Sequence, residues 1–141
     1  MIWIQKKIKL PAISRGCHLV HNMIFQHISF EKIKTGLCQL FIQHTSASLA
    51  LNENADPSVR SDLEVFLNHF CADDTGYFNH TLEGSDDMPA HIKNIMIGHQ
   101  ISIPITKGNL ALGTWQGVYL CEHRNNANSR SIVLTAFGEP F

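Results

Sequence analysis

Gln100-Ile101-Ser102-Ile103-Pro104-Ile105-Thr106-Lys107-Gly108-Asn109 is the stretch that decides the fold class. Isoleucine falls at every second position, the period of a strand with one buried face. Lys107-Gly108-Asn109 follows as a hairpin turn signal. Residues 99–105 are therefore predicted as a strand that doubles back, and the sheet around it as antiparallel.

On the C-terminal side, residues 110–123 read as one strand, 124–129 as a polar loop and 130–137 as a last strand, the three strands forming a meander. Gly113 and Gly117 interrupt 110–123 and mark bulges or close backbone approaches. On the N-terminal side, residues 57–70 are the clearest helix. Asp56 suits the N-cap and Pro57 the first helical position. Val59, Leu63, Phe66, Leu67 and Phe70 form a core-facing stripe, with Arg60, Asp62, Glu64 and Asn68 on the solvated face. A long polar loop, 71–87, leads to a second helix over 88–97, capped by Asp86 or Asp87, with Pro89 and His91 in its first turn and Ile92, Ile95 and Met96 turned inward.

Residues 37–44 alternate, placing Cys38, Leu40, Ile42 and His44 on one strand face. Residues 20–31 carry a helical stripe (Val20, Met23, Ile24, His27, Ile28), which Thr35-Gly36 closes. Residues 2–9 read as a strand. The pattern predicts an α+β fold: a single domain, 1–141, built on antiparallel β-sheet or sandwich with two or three helices.

Composition narrows the function classes. The chain has 141 residues, 44% of them apolar and 16% charged, with a formal net charge of −1. Such a chain can bury a core unaided. No basic run exists to attract nucleic acid. No apolar run is long enough to span a bilayer, and the N-terminus lacks a leader pattern, so the expected location is the cytoplasm with no membrane partner. Cys17, Cys38, Cys71 and Cys121 make no Cys-x-x-Cys pair and are expected to be reduced.

Nine histidines are the compositional oddity. Four stand in polar segments that adjoin apolar elements: His44, His80, His91 and His123. Imidazole is the commonest protein metal ligand and the usual general base near neutral pH. Around these lie further candidates: Thr45 and Ser46 beside His44, Asn54 before the first clear helix, Thr114 and Gln116 between the two glycines, and Glu122 beside His123. Asp86 and Asp87 are adjacent carboxylates suited to a hard cation. Arg124 or Arg130 could hold a phosphate, as could the helix start near His91. His44, His80 and His91 together would match a three-histidine catalytic zinc site with one open position. No P-loop, dinucleotide fingerprint, His-Glu-x-x-His pair or nucleophile elbow is present.

Five segments taken together resemble one family. They are Leu40-Phe41-Ile42-Gln43-His44-Thr45-Ser46-Ala47-Ser48-Leu49, Leu51-Asn52-Glu53-Asn54-Ala55-Asp56-Pro57, Asp86-Asp87-Met88-Pro89-Ala90-His91-Ile92-Lys93, Leu112-Gly113-Thr114-Trp115-Gln116-Gly117 and Glu122-His123-Arg124. In order and spacing they are similar to the YjbQ-like family, also described as secondary thiamine-phosphate synthases. The resemblance runs from Ser14-Arg15-Gly16 to Arg130. It implies a compact antiparallel α+β fold, a homotrimer and a phosphorylated small-molecule ligand. It also implies an activity that joins hydroxymethylpyrimidine diphosphate to thiazole phosphate and releases diphosphate. His44, His80, His91 and Glu122 match the family's motif positions and are the implied catalytic set. Thr45, Ser46, Asn54, Asp86, Asp87, Thr114, Gln116, His123, Arg124 and Arg130 are the candidate substrate contacts. A divalent ion, Mg²⁺ or Zn²⁺, is the expected cofactor. His123 follows a subgroup pattern, and His21 stands where relatives often have threonine. Two other classes fit the residues: a histidine-ligated metal hydrolase and a non-catalytic trimeric binding module.

Overall fold

In the computed structural model, which describes all of Met1–Phe141, the predicted hairpin joins β5 (Gln100–Thr106) to β6 (Asn109–Leu110) through Lys107 and Gly108. Both turn residues have positive φ, 49° and 79°. That geometry is the twist-matched hairpin turn that sequences rich in glycine favour.

The remaining strands are β1 (Ile2–Leu10), β2 (Gly16–Leu19), β3 (Ile33–Ile42), β4 (Ala47–Glu53), β7 (Gln116–Glu122) and β8 (Arg130–Pro140). They form two antiparallel sheets, one ordered β1-β8-β3-β5-β6 and one ordered β2-β7-β4. The meander predicted for 99–137 is therefore not formed. Its middle strand splits at a turn where the Gln116 N–H donates to the Gly113 carbonyl and the Gly113 N–H to Gln116 Oε1. β7 then enters the second sheet, and β8 returns to the first between β1 and β3.

The sheets face each other across one apolar core. Cys38, Leu40, Ile42, Ile103, Ile105, Leu134 and Ala136 of the larger sheet meet Leu49, Val118 and Leu120 of the smaller. The predicted inward set of β3 and β5 is thus correct, save that β3 stops at Ile42 and leaves His44 beyond it. Thr35-Gly36 lies inside β3 rather than closing a helix. Gly36 pairs with Gly138 of β8, and a Cβ on Gly36 would stand 2.1 Å from the Phe137 carbonyl oxygen. The helix read over 20–31 is confined to α1 (His21–Phe25).

Two longer helices, α2 (Pro57–Phe70) and α3 (Asp87–Ile97), pack against the outer face of the small sheet, α2 on β2 and α3 on β4. Asp56 caps α2 as predicted, accepting from the Ser58 N–H at 2.9 Å. Only part of its apolar stripe is inside: Leu63 and Leu67 pack on Cys17, Tyr119 and Cys121, whereas Phe66 and Phe70 stack on each other in the open. Arg60, Glu64 and Asn68 turn inward instead of forming a solvated face. In α3 the correction is similar. Ile95 and Met96 are exposed, and Asp87, Pro89, Ala90 and Lys93 are buried. All four cysteines are free thiols. No helix is long and apolar enough to cross a membrane.

Candidate metal centre at the start of α3

α3 begins one residue earlier than its sequence suggests, at Asp87. His91 consequently sits on the second turn, four residues after Asp87 and on the same helix face. The polar loop folds back so that His80 reaches the same point. His80 Nε2 lies 2.6 Å and His91 Nε2 3.2 Å from Asp87 Oδ2. Ligand atoms of the three residues all fall within 4.8 Å of one another. The Asp87 side chain is 2% exposed, that of His91 29% and that of His80 48%, so the cluster opens to solvent on the His80 side.

Each ligand is oriented from behind. Arg124 Nη1 donates to Asp87 Oδ1 at 2.5 Å, which leaves Oδ2 facing the histidines. His91 Nδ1 lies 2.8 Å from the Thr45 carbonyl oxygen, an acceptor only, so Nδ1 carries the proton. In the neutral ring Nε2 is then a lone pair pointed at a carboxylate oxygen. Two acceptors at 3.2 Å need a cation between them, either a proton or a metal ion. The donor chemistry fits a metal: in tetrahedral zinc, nitrogen and oxygen ligands at about 2.0–2.2 Å stand roughly 3.3 Å apart. The two separations from Asp87 Oδ2 need to open by less than an ångström.

Asp86 occupies the N-cap position, but its side chain makes no capping bond. Its Oδ2 accepts from Arg124 Nε at 2.9 Å and from the Asn125 N–H at 2.9 Å. Burial works to raise the pKa of both aspartates, but hydrogen bonds and nearby positive charge outweigh it and hold each below the usual carboxylate range. Both carboxylates at the helix start are thus turned to Arg124, Asn125 and the histidines, and their negative charge opposes an anion there.

His44 is not part of the cluster. Its Nε2 accepts from the Ser131 N–H at 2.8 Å, and burial, with Arg130 nearby, lowers its pKa. The three-histidine ligand set expected from sequence is replaced by His80, Asp87 and His91. Glu122 and Arg130 pair with each other: Arg130 donates through Nε at 2.7 Å and Nη2 at 2.6 Å to a carboxylate with no solvent exposure. Arg130 Nη2 also donates to Ser46 Oγ at 3.0 Å. His123 is buried against Ser48, its Nε2 2.9 Å from Ser48 Oγ. Asn54, Thr114 and Gln116 lie at the opposite end of the β4–β7 ladder, where Asn54 Nδ2 donates to the carbonyls of Thr114 and Gln116. Thr45 contributes its carbonyl rather than its hydroxyl.

Beside the cluster lies a polar hollow of about 310 Å³ whose lining includes His44, Ser46, Arg124, Asn126, Asn128 and Arg130. Arg124 joins the two features, since its guanidinium both lines the hollow and grips Asp87. Sequence reasoning missed Arg15. It binds Asp73 through Nη1 and Nη2, Asn68 through Nη2 and Asn125 through Nη1, and so ties the long loop to α2 and to the loop after β7. It also missed Lys93, buried with a single 3.4 Å bond to Asn68 Oδ1.

The family model for "UPF0047 protein YjbQ-like" matches residues 6–139. The chain belongs to the YjbQ-like UPF0047 family. It is 47% identical over 139 residues to the UPF0047 protein YjbQ of Escherichia coli O157:H7, covering 98% of this chain and all of that one. Its identity to a UPF0047 protein of Synechocystis is 40%, over 96% of this chain and 92% of the other. Among solved structures, a YbjQ-like protein of unknown function from Sulfolobus solfataricus P2 superposes with a TM-score of 0.85 at 23% identity, covering 98% and 99% of the two chains. A family member from Clostridium acetobutylicum gives 0.78 at 28% identity, covering 94% and 99%. The family and the antiparallel α+β fold expected from the five segments are thus those observed.

Proposed function

We propose that this YjbQ-like chain is a small-molecule enzyme in which a divalent metal ion, held by His80, Asp87 and His91, acts on a phosphorylated substrate seated in the hollow beside it. The observation that carries this reading is Asp87 Oδ2, which faces two imidazole nitrogens while Arg124 occupies its other oxygen. Such an ion supplies a Lewis acid and an open coordination position. The hollow supplies polar groups for phosphate oxygens: Asn126, Asn128 and Ser129 make no side-chain bonds to the protein, and Arg130 Nη1 is likewise uncommitted.

Thiamine-phosphate synthesis, which the family resemblance implies, belongs to this class because diphosphate must be gripped as it leaves. Metal-assisted hydrolysis of a small phosphate ester is the other member. Purified chain loaded with Zn²⁺ or Mg²⁺ would be assayed on hydroxymethylpyrimidine diphosphate with thiazole phosphate, and on simple phosphate esters. Turnover that falls in H80A, H91A and D87N supports the reading. Turnover unchanged in the folded variants, and in H44A, sinks it. The homotrimer that the resemblance implies is read by light scattering of the same preparation.

A further inference from the structure

A hollow of about 460 Å³ lies away from the histidine cluster. It sits where β4 ends and β7 begins, lined by Leu19, His21, Asn22, Met23, Asn54, Gln116 and Gly117. The cluster lies beyond the other end of the same two strands. Seven residues of strand separate them, or about 20 Å at 3.3 Å per residue.

The hydrogen-bonding groups here are partly used and partly free. Asn54 spends its Nδ2 on the carbonyls of Thr114 and Gln116, which leaves Oδ1 as an acceptor. Gln116 spends its Oε1 on the Gly113 N–H, which leaves Nε2 as a donor. His21 Nδ1 is buried without a partner. A buried lone pair is better tolerated there than a buried orphan N–H, so the proton sits on Nε2. Burial also lowers the pKa of this ring, in the direction that keeps it neutral. Gly117 keeps the floor open to its neighbours, since a Cβ there would stand 2.7 Å from Leu19 Cδ1 and 3.1 Å from Asn54 Cβ. No lysine, arginine, aspartate or glutamate lines the space.

We infer that this hollow is a second ligand site, which takes a neutral planar heterocycle offering two acceptors and one donor to His21, Gln116 and Asn54. A 4-amino-2-oxopyrimidine offers that set along one edge: a ring nitrogen and a carbonyl as acceptors, beside one exocyclic amine as donor. Leu19 and Met23 give it apolar walls. A charged ligand finds no counter-ion here, and burying it uncompensated would be costly.

The test uses the whole chain and free cytosine as the probe. Binding is followed by isothermal titration, with H21F and Q116E as site variants and H80A as a control at the other end of the strands. H21F keeps an aromatic ring against Phe25 while removing the Nε2 donor. Q116E removes the free donor and keeps an oxygen for the Gly113 N–H. Thermal melting selects variants that fold. The expected result is saturable binding, weakened about fivefold or more by each folded site variant, as the loss of one hydrogen bond predicts, and unchanged in H80A. No saturable binding, equal affinity in a folded site variant, or loss of binding in H80A overturns the inference.

Discussion

His91 and Thr45, 46 residues apart, are joined by a 2.8 Å hydrogen bond from ring Nδ1 to backbone carbonyl. That bond places a proton on Nδ1 and turns Nε2 of His91 toward Asp87. A ligand fixed in this way binds metal at little entropic cost.

The first prediction follows from that bond. The wild-type chain takes up about one Zn²⁺, and its melting temperature rises with added zinc, because a ligand that binds only the folded state stabilises it. H80A, D87N and H91A each weaken uptake by more than about a hundredfold. H44A leaves uptake within error of wild type, because His44 bonds to Ser131 instead. Elemental analysis of dialysed protein and zinc titration in a thermal-shift assay read both results.

Arg124 touches no solvent-side ligand position, yet it holds Asp87 Oδ1 and Asp86 Oδ2 together. R124M frees the Asp87 carboxylate to rotate. The expected loss in zinc affinity is about 10–100-fold, the usual effect of removing a group that orients a ligand. The histidines stay in place, so zinc still binds. Abolished binding in a folded R124M protein, or affinity equal to wild type, would each contradict this arrangement.

Glu122 and Arg130 form a buried ion pair, to which the Arg124 N–H adds a 3.2 Å bond on Glu122 Oε2, so their first effect is on stability. R130M strands a carboxylate that has no solvent exposure and should cost about 3–5 kcal/mol. E122Q strands Arg130 and costs somewhat less, because Ser46 still accepts from its Nη2. The double variant E122Q/R130M removes both charges and should recover roughly half of the summed loss. Urea denaturation of the four proteins closes the cycle. Strict additivity would mean that the pair is not coupled.

The periodic elements were legible in the sequence, and their partners were not. Ile101, Ile103 and Ile105 announced β5, and Asp56-Pro57 announced the start of α2, because period and capping are local. β4 escaped notice because Ser46 and Ser48 look like turn residues. They are buried because Arg130 and His123 satisfy them from 84 and 75 residues away. Five apolar residues on α2 promised a wide core face, but the small sheet covers only the Leu63–Leu67 side, and nothing local selects that side. Asp86 and Asp87 were equivalent as a pair on paper. A single residue's shift in the start of α3 puts Asp87 under His91, and leaves Asp86 to Arg124 and the Asn125 N–H.

His123 gives the protein an acid-sensitive stability. Its ring is 1% exposed. Burial first, then the charges of Lys93, Arg15 and Arg130, push its pKa from 6.5 down to about 3. An unfolded chain takes up this proton near pH 6.5, whereas the folded chain refuses it until about pH 3. The contribution is therefore fully present above the unfolded pKa and lost as pH falls between the two values, at about 1.4 kcal/mol per pH unit. By about pH 4 the loss from this one group is roughly 3 kcal/mol. His44, whose pKa is also lowered, contributes with the same sign. H123Q keeps an amide beside Ser48 Oγ and titrates nowhere in this range. Urea midpoints at about pH 7 and about pH 4.5 should therefore converge in H123Q relative to wild type. Equal slopes in the two proteins would show that the buried imidazole is not the group that the acid protonates.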